Sequence, residues 1–250
     1  MSDVIIIGFG NVGKNLKNEL ANLSPDVYDP FKGVDTREGS YRLALIAVDT
    51  PYVSCENPCD TSAVIDAIGE ADADVYVIKS TVPVGFTESA AEATGKRVIF
   101  SPEYYGTTQH ANNFKMDFTV LGGRTEWCDV VQDVMQDVYD ARHRFIRVTS
   151  RVAEMAKYME NAWIATKVDF CIGFYEACEN EGISYNDVRE CFVADPRVSP
   201  CHTFVYREHP YWKSHCLDKD VPSIATQYGI EQLEQLIERN KKRVARYSQQ

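Results

Sequence analysis

Gly8, Gly10 and Gly13 form a G-x-G-x-x-G that closes a run of Val and Ile and opens an amphipathic stretch. In such a turn the first glycine permits the tight bend, the second lets backbone approach a pyrophosphate, and the third lets helix pack on strand. Phosphates then rest on free N–H groups at the positive end of the helix, here those of Asn11, Val12 and Gly13. Alone, the motif serves equally well as a tight strand-to-helix turn with no ligand. Asp29 closes the next apolar run, where a carboxylate can accept from ribose hydroxyls and repel a 2′-phosphate, which favours NAD over NADP. Its separation from Gly13 falls short of the usual ~20 residues, which predicts a trimmed first helix. The alternative for Asp29 is a solvated carboxylate at a strand end. Farther on, Lys157 and Asn161 share one face of a predicted helix with Ile164 and Val168, opposite Met155 and Met159. A lysine and an amide on a partly apolar face suit the stabilisation of an alkoxide or oxyanion; the plainer reading is a surface lysine beside a packing amide. Cys216 stands among Lys213, His215 and Lys219, cations of the kind that favour a thiolate. A small buried thiol is the alternative there, and it suits most of the other cysteines. Cys55 and Cys59 would need two further ligands to hold a metal, and none is near in sequence, so no metal is predicted.

The elements that must position these residues follow from hydrophobic period. Strands are predicted at Val4–Gly8, Asp26–Asp29, Leu43–Val48, Val75–Lys79, Val98–Ser101, Phe118–Leu121 and Phe145–Val148, several of them continuous Val/Ile/Leu runs of the kind covered on both faces. Helices fit between them at Val12–Leu23, Thr61–Ile68, Thr87–Thr94 and Glu126–Val138. This alternation defines an α/β fold on a mainly parallel sheet. From Ser150 to Glu181 the period changes, and Val152, Met155, Ala156, Met159, Trp163 and Phe170 fall on one stripe of a helix of roughly 30 residues. A short helix over Tyr185–Cys191, an extended loop over Ala194–Pro222 and a last helix over Glu231–Tyr247 complete the reading, with Leu233, Leu236, Ile237 and Val244 on the last helix's apolar face. The expected organisation is a Rossmann-type dinucleotide domain over 1–149 and a helical region over 150–250.

Composition excludes some classes of function. With 26 Lys and Arg against 37 Asp and Glu, the net charge of −11 opposes a nucleic-acid partner, which needs a concentrated positive field. No run reaches the roughly 20 apolar residues of a membrane span. The N-terminus reads as a buried strand rather than a signal peptide. Eight cysteines without a repeated spacing read as free thiols, and the expected compartment is the cytoplasm.

Val48-Asp49-Thr50-Pro51, Lys79-Ser80-Thr81-Val82-Pro83-Val84-Gly85 and Ser101-Pro102-Glu103-Tyr104 each follow a predicted strand, which places all three at the carboxyl edge of the sheet where ligands bind. With the glycine motif, these resemble the UDP-glucose/GDP-mannose dehydrogenase family. The likeness continues in Ala153–Ala162, Ala165-Thr166-Lys167, Asp195-Pro196-Arg197, Ser214–Asp220 and the final helix. The resemblance implies a Rossmann-type NAD domain followed by a helical, dimer-forming region of the 6-phosphogluconate-dehydrogenase type. It also implies oxidation of the primary alcohol of a nucleotide sugar to a carboxylate, for polysaccharide precursor synthesis. The aldehyde is held as a thiohemiacetal on a cysteine and oxidised to a thioester. Carried over residue by residue, Cys216 is the nucleophile, Lys157 and Asn161 stabilise the oxyanion and contact substrate, and Glu103 assists thioester hydrolysis. Asp220 and Thr81 hold a water near the thiol, Gly8, Gly10, Asn11, Val12, Gly13, Asp29, Thr50, Pro51 and Thr81 bind NAD, and Arg197 reaches substrate across a homodimer interface. Arg197 is otherwise a surface arginine after a turn.

The sequence also departs from the family. Members carry a third, α/β domain that grips the substrate's nucleotide, and the sequence here ends after the corresponding last helix, so much of the binding energy for a UDP or GDP group is expected to be missing. The glycine-rich loop before the cysteine is replaced by the longer, bulky Tyr206–Lys213 stretch, and a second active-site glutamate is lost near Thr107. The competing expectation is therefore a catalytically degenerate NAD-binding protein, or half of a split enzyme whose nucleotide-binding part is a separate subunit.

Overall fold

The computed structural model describes residues 2–105 and 116–248; Gly106 and Thr107 lie outside them. Eight strands form one sheet among the described residues: β1 (Val4–Ile7), β2 (Asp26–Asp29), β3 (Val34–Asp35), β4 (Ser40–Ile46), β5 (Asp72–Ile78), β6 (Val98–Phe100), β7 (Phe118–Gly122) and β8 (Arg144–Val148). Their order is β3-β2-β1-β4-β5-β6-β7-β8. The pairs β2–β1–β4–β5–β6 are parallel, β3 and β7 run antiparallel to their inner neighbours, and β8 is parallel to β7. The expected α/β fold with a mainly parallel sheet is the one observed. Because the chain leaves β1 first to one side and then to the other, a crevice opens at the carboxyl ends of β1 and β4.

The strand sequences explain the layering. Alternate residues of a strand point to opposite faces. Ile5 and Ile7 join Ala44, Ile46, Tyr76 and Ile78 in a core on one face, while Val4 and Ile6 join Leu43, Leu45, Val75 and Val77 on the other. Both faces are covered by helices, so continuous apolar runs are what these strands require. Strands β4 and β5 begin at Ser40 and Asp72, ahead of the apolar runs that announced them, and β3 is a two-residue edge strand too short to show a period. The helices here are α1 (Asn11–Glu19), α2 (Ser62–Ile68), α3 (Phe86–Thr94) and α4 (Thr125–Met135). Helix α1 is short, as the Gly13–Asp29 spacing predicted, and the rest of the expected Val12–Leu23 helix is a 3₁₀ turn over Ala21–Leu23.

Four helices complete the described chain: α5 (Ser150–Glu181), α6 (Tyr185–Val193), α7 (Leu217–Tyr228) and α8 (Glu231–Tyr247). Thr149 caps α5 by accepting from Val152 N–H, and Gly182 ends it in the left-handed region. One face of α5 is buried, with Ala153, Glu154, Lys157, Tyr158, Asn161 and Ala165 against the sheet and α7. The predicted apolar stripe lies on the other side and is exposed, Met159 at 73% and Trp163 at 61%.

The expected loop over Ala194–Pro222 is corrected at its end, because α7 begins at Leu217 and contains Pro222. Proline removes one backbone donor, but Val221, Ile224 and Ala225 bury an apolar stripe beside Tyr158 and Leu236 that holds the helix together. Ion pairs around the buried Asp169 tie α5 to α8: Asp169 accepts from Arg239 and Arg243, and Arg243 also pairs with Glu176.

Candidate active site

At the glycine turn, φ of +93° and a Cβ position 2.6 Å from Ala47 O require glycine at residue 8. A Cβ at Gly13 would stand 2.0 Å from Gly8 O, so helix and strand touch there. Gly10 faces open space, with Lys32 Nζ its nearest neighbour at 3.9 Å. Helix α1 has no side-chain cap, and its first intrahelical bond is Lys14 N–H to Gly10 O at 3.1 Å. The N–H groups of Asn11, Val12 and Gly13 precede that bond and have no acceptor within the helix. Asp29 is buried and accepts from Phe9 N–H at 2.8 Å through Oδ2. Its strand-end carboxylate stands over the turn that phosphates would occupy, so the residues present fit a dinucleotide.

Across the crevice, α7 docks on the motif after β4. Lys219 Nζ donates to Thr50 Oγ1 at 3.1 Å, Thr50 Oγ1 donates to Thr81 O at 2.8 Å, and His215 Nε2 lies 3.2 Å from Asp49 Oδ1. Gln227 closes the other end of α7, accepting from Val84 N–H and donating to Val84 O. Pro51 is exposed beside these contacts. Helix α5 is fixed to the sheet by Glu154, which is wholly buried and accepts from Gly85 N–H, Thr87 N–H and the Thr87 hydroxyl at 2.6, 2.9 and 2.6 Å. Glu154 thereby caps α3 from a different element. It lies three residues before Lys157 on the same face, so both are aimed by one helix.

The side chains brought together are Cys216, Asp220, Lys157, Asn161 and Glu103. Asn161 Nδ2 donates to Asp220 Oδ2 at 2.6 Å, and Lys219 Nζ stands 2.6 Å from Asp220 Oδ1. That second approach is an ion pair without hydrogen-bond alignment, which leaves Oδ1 with no hydrogen-bond donor. Lys157 is buried, donates to Glu160 Oε2 at 2.7 Å and lies 4.8 Å from the centre of the Tyr104 ring. Burial lowers the Lys157 pKa, but the charges of Glu160 and Glu103 outweigh it and the net shift is upward. Glu103 is half-buried and accepts from Tyr105 N–H at 2.6 Å.

Cys216 is corrected in one respect. Burial, followed by the charges of Asp220 and Glu103, pushes its thiol up to about 11, and Lys157 and Lys219 offset only part of this. The cations flanking it in sequence are otherwise occupied, His215 with Asp49 and Lys219 with Thr50 and Asp220. The raised pKa favours the protonated thiol at neutral pH, beside an Asp220 carboxylate whose Oδ1 is ion-paired with Lys219.

Arg197 is not brought to the cluster; its side chain is 87% exposed and pairs with Asp195 at 2.6 Å. Sequence reasoning missed Lys79, buried at the end of β5, with its ammonium on Ser101 Oγ at 3.1 Å and its pKa pulled down by burial to about 8. It lines a cavity of about 350 Å³ with Glu103, Tyr105, Tyr139 and His143. The signal was a lysine ending an otherwise apolar strand. Cys59, read only against a metal site, is buried against Thr50 O and Thr81 O. The bulky stretch before Cys216 is pinned at Trp212, whose N–H and C=O are both bound by the Asn240 amide at 3.0 and 2.9 Å.

An α/β layer with an open dinucleotide turn is closed by a helical layer that presents a thiol, an ammonium, an amide and carboxylates. Residues 151–243 match the central domain of the UDP-glucose/GDP-mannose dehydrogenase family, and this segment belongs to that family. Over 230 residues the chain is 30% identical to the UDP-glucose 6-dehydrogenase of Rhizobium meliloti, covering 84% of this chain and 49% of that one. It spans about half the length of the curated relatives it matches. A UDP-glucose dehydrogenase from Pyrobaculum islandicum superposes with a TM-score of 0.75 at 21% identity, over 99% of this chain and 69% of that one. The 3-hydroxyisobutyrate dehydrogenase of Mycobacterium tuberculosis gives 0.66 at 14% identity, over 99% and 95%. At these identities both structures speak to the fold.

Proposed function

We propose that this chain carries the NAD-dependent oxidation of the primary alcohol of a nucleotide sugar, of the UDP-glucose type, to the carboxylate through Cys216. The observation that carries this reading is the convergence of Cys216, Asp220, Asn161, Lys157 and Glu103 at a crevice whose other wall is an open dinucleotide turn. NAD bound there supplies the hydride acceptor for both oxidations. The chain's residues do the rest. The Cys216 thiol adds to the aldehyde carbon, and its proton passes to the Asp220 carboxylate, which Asn161 and Lys219 hold in place. Lys157 and Asn161 stabilise the oxyanion of the thiohemiacetal. Loss of the second hydride leaves a thioester on Cys216. A water held by Thr81 and Asp220 and deprotonated by Glu103 cleaves it to the carboxylate and the free thiol. Each sugar consumes two NAD and one water and yields the carboxylate, two NADH and three protons, the first of them from the alcohol hydroxyl as the aldehyde forms.

The boundary between the NAD-binding and helical parts is read at Thr149, and the exposed α5 stripe is the seam of a homodimer. Arg197, directed outward in one protomer, is then available to the partner's substrate. Eight free cysteines fit a reducing cytoplasm.

The test is NADH formation from NAD with a panel of UDP- and GDP-sugars, comparing the wild type with Cys216→Ser. Turnover with at least one sugar, reduced by more than about 10³-fold in the variant, is expected. NAD binding without turnover of any sugar would replace this reading with the second one, an NAD-binding protein that lacks catalysis or takes its nucleotide-binding part from another subunit. The burial of the Cys216 thiol beside Asp220 and Glu103, which raises its pKa, favours that second reading.

A further inference from the structure

We infer that Glu160 is a positioning residue of this site, a carboxylate that anchors the Lys157 ammonium at the crevice and keeps Lys157 in the role of a charged stabiliser rather than a base. The inference rests on the proposed role of Lys157. In sequence Glu160 reads as one more charge on a long helix.

The geometry separates this pair from an ordinary helical ion pair. Pairs three residues apart on an exposed face contribute little, because water competes for both ends. Here the Lys157 side chain is 6% exposed and the Glu160 side chain 32%, so the ammonium is withdrawn from water and the carboxylate stands at the rim. Glu160 Oε2 accepts from Lys157 Nζ at 2.7 Å, the only hydrogen bond described for that ammonium. The other groups facing Lys157 come from two further elements. Glu103 and Tyr104 lie on the segment after β6, with the Tyr104 ring beneath the ammonium, and Asp220 and Cys216 lie at the start of α7. Burial alone would favour a neutral amine. Glu160 is the largest of the opposing charges and the hydrogen-bond partner of the ammonium, so it contributes most to keeping Lys157 charged against its burial. An amine would compete with Asp220 for the Cys216 proton, whereas an ammonium can only donate to an oxyanion. The same bond holds the ammonium in place beside the Tyr104 ring, 4.8 Å from its centre.

Glu160→Gln keeps the shape and removes the charge, and Glu160→Asp keeps the charge on a shorter arm. The first readout needs no substrate: the pH dependence of Lys157 acetylation by acetic anhydride, followed by peptide mass spectrometry, with exposed Lys242 as the internal standard. In Glu160→Gln the reactivity of Lys157 is expected to rise at a pH about one unit lower than in wild type. Glu160→Asp is expected to recover most of the difference. In turnover the same variant is expected to lose about tenfold in kcat with KM changed less than threefold, and its basic limb moves to lower pH, because activity is lost as Lys157 deprotonates. Thermal melting of both variants, superimposing on wild type, excludes misfolding as the cause. An acetylation profile unchanged in Glu160→Gln would overturn the inference, whatever the turnover. A shifted profile in a protein that oxidises no sugar would keep the inference about Lys157 and reject the dehydrogenase reading alone.

Discussion

The Cys216 thiol is the point where sequence neighbours and spatial neighbours disagree. Lys213, His215 and Lys219 suggested a thiolate, but in the fold burial and the carboxylates of Asp220 and Glu103 dominate, and the pKa rises to about 11. A raised thiol pKa means that the reactive fraction is small at neutral pH and grows as pH increases. Alkylation of Cys216 by iodoacetamide, read by peptide mass spectrometry, is therefore expected to accelerate about tenfold per pH unit above neutrality and to flatten near pH 11. A plateau below pH 8 would show that an unseen cation controls the thiol. Gly13 gives a second prediction at this scale. Its Cβ position lies 2.0 Å from Gly8 O, so Gly13→Ala must push α1 away from β1 and spoil the N–H cradle. Calorimetry should find NAD binding by wild type and none by the variant; equal affinities would mean that the dinucleotide sits elsewhere.

Among the elements, α5 does the most to hold the site, because it is docked by a carboxylate rather than by apolar packing alone. Glu154 is fully buried and takes three hydrogen bonds from the start of α3. Glu154→Ala would leave those donors buried and unpaired, at a cost of roughly 2–3 kcal/mol. Urea unfolding should show that loss; a midpoint equal to wild type would mean water replaces the carboxylate freely. Much of this architecture was legible in the chain. The Val4–Ile7, Leu43–Ile46 and Val75–Ile78 runs announce strands buried on both faces, and the glycine turn with Asp29 marks the crevice. The Lys157–Asn161 spacing places both on the buried face of α5. What was not legible depends on contacts distant in sequence. Glu154 looks like a surface glutamate until Gly85 and Thr87 are seen beneath it, and Lys219 looks like a cation for Cys216 until Thr50 takes its ammonium. Pro222 disguises α7 in the sequence, because the Val221/Ile224/Ala225 stripe that outweighs the lost backbone donor shows only once it packs on Tyr158 and Leu236.

At the scale of the whole molecule, the exposed face of α5 is the feature a lone chain does not explain. Val152, Met155, Met159, Trp163, Phe170 and Phe174 are exposed along one side of a 32-residue helix, and Phe170 packs against Phe174 and Phe192 at its far end. A contiguous apolar surface of this kind marks an interface. Light scattering is expected to give twice the chain mass for wild type and the chain mass for Met159→Lys/Trp163→Lys; a monomeric wild type would remove the dimer and, with it, the proposed reach of Arg197. In the proposed chemistry a single thiol carries one sugar through two successive oxidations. Counting NADH formed per nucleotide sugar consumed tests it most directly, with Cys216→Ser measured alongside. The proposed chemistry predicts two NADH per sugar and a carboxylate product in wild type, with both lost in the variant. One NADH per sugar with release of the aldehyde, or undiminished NADH formation by Cys216→Ser, would contradict it.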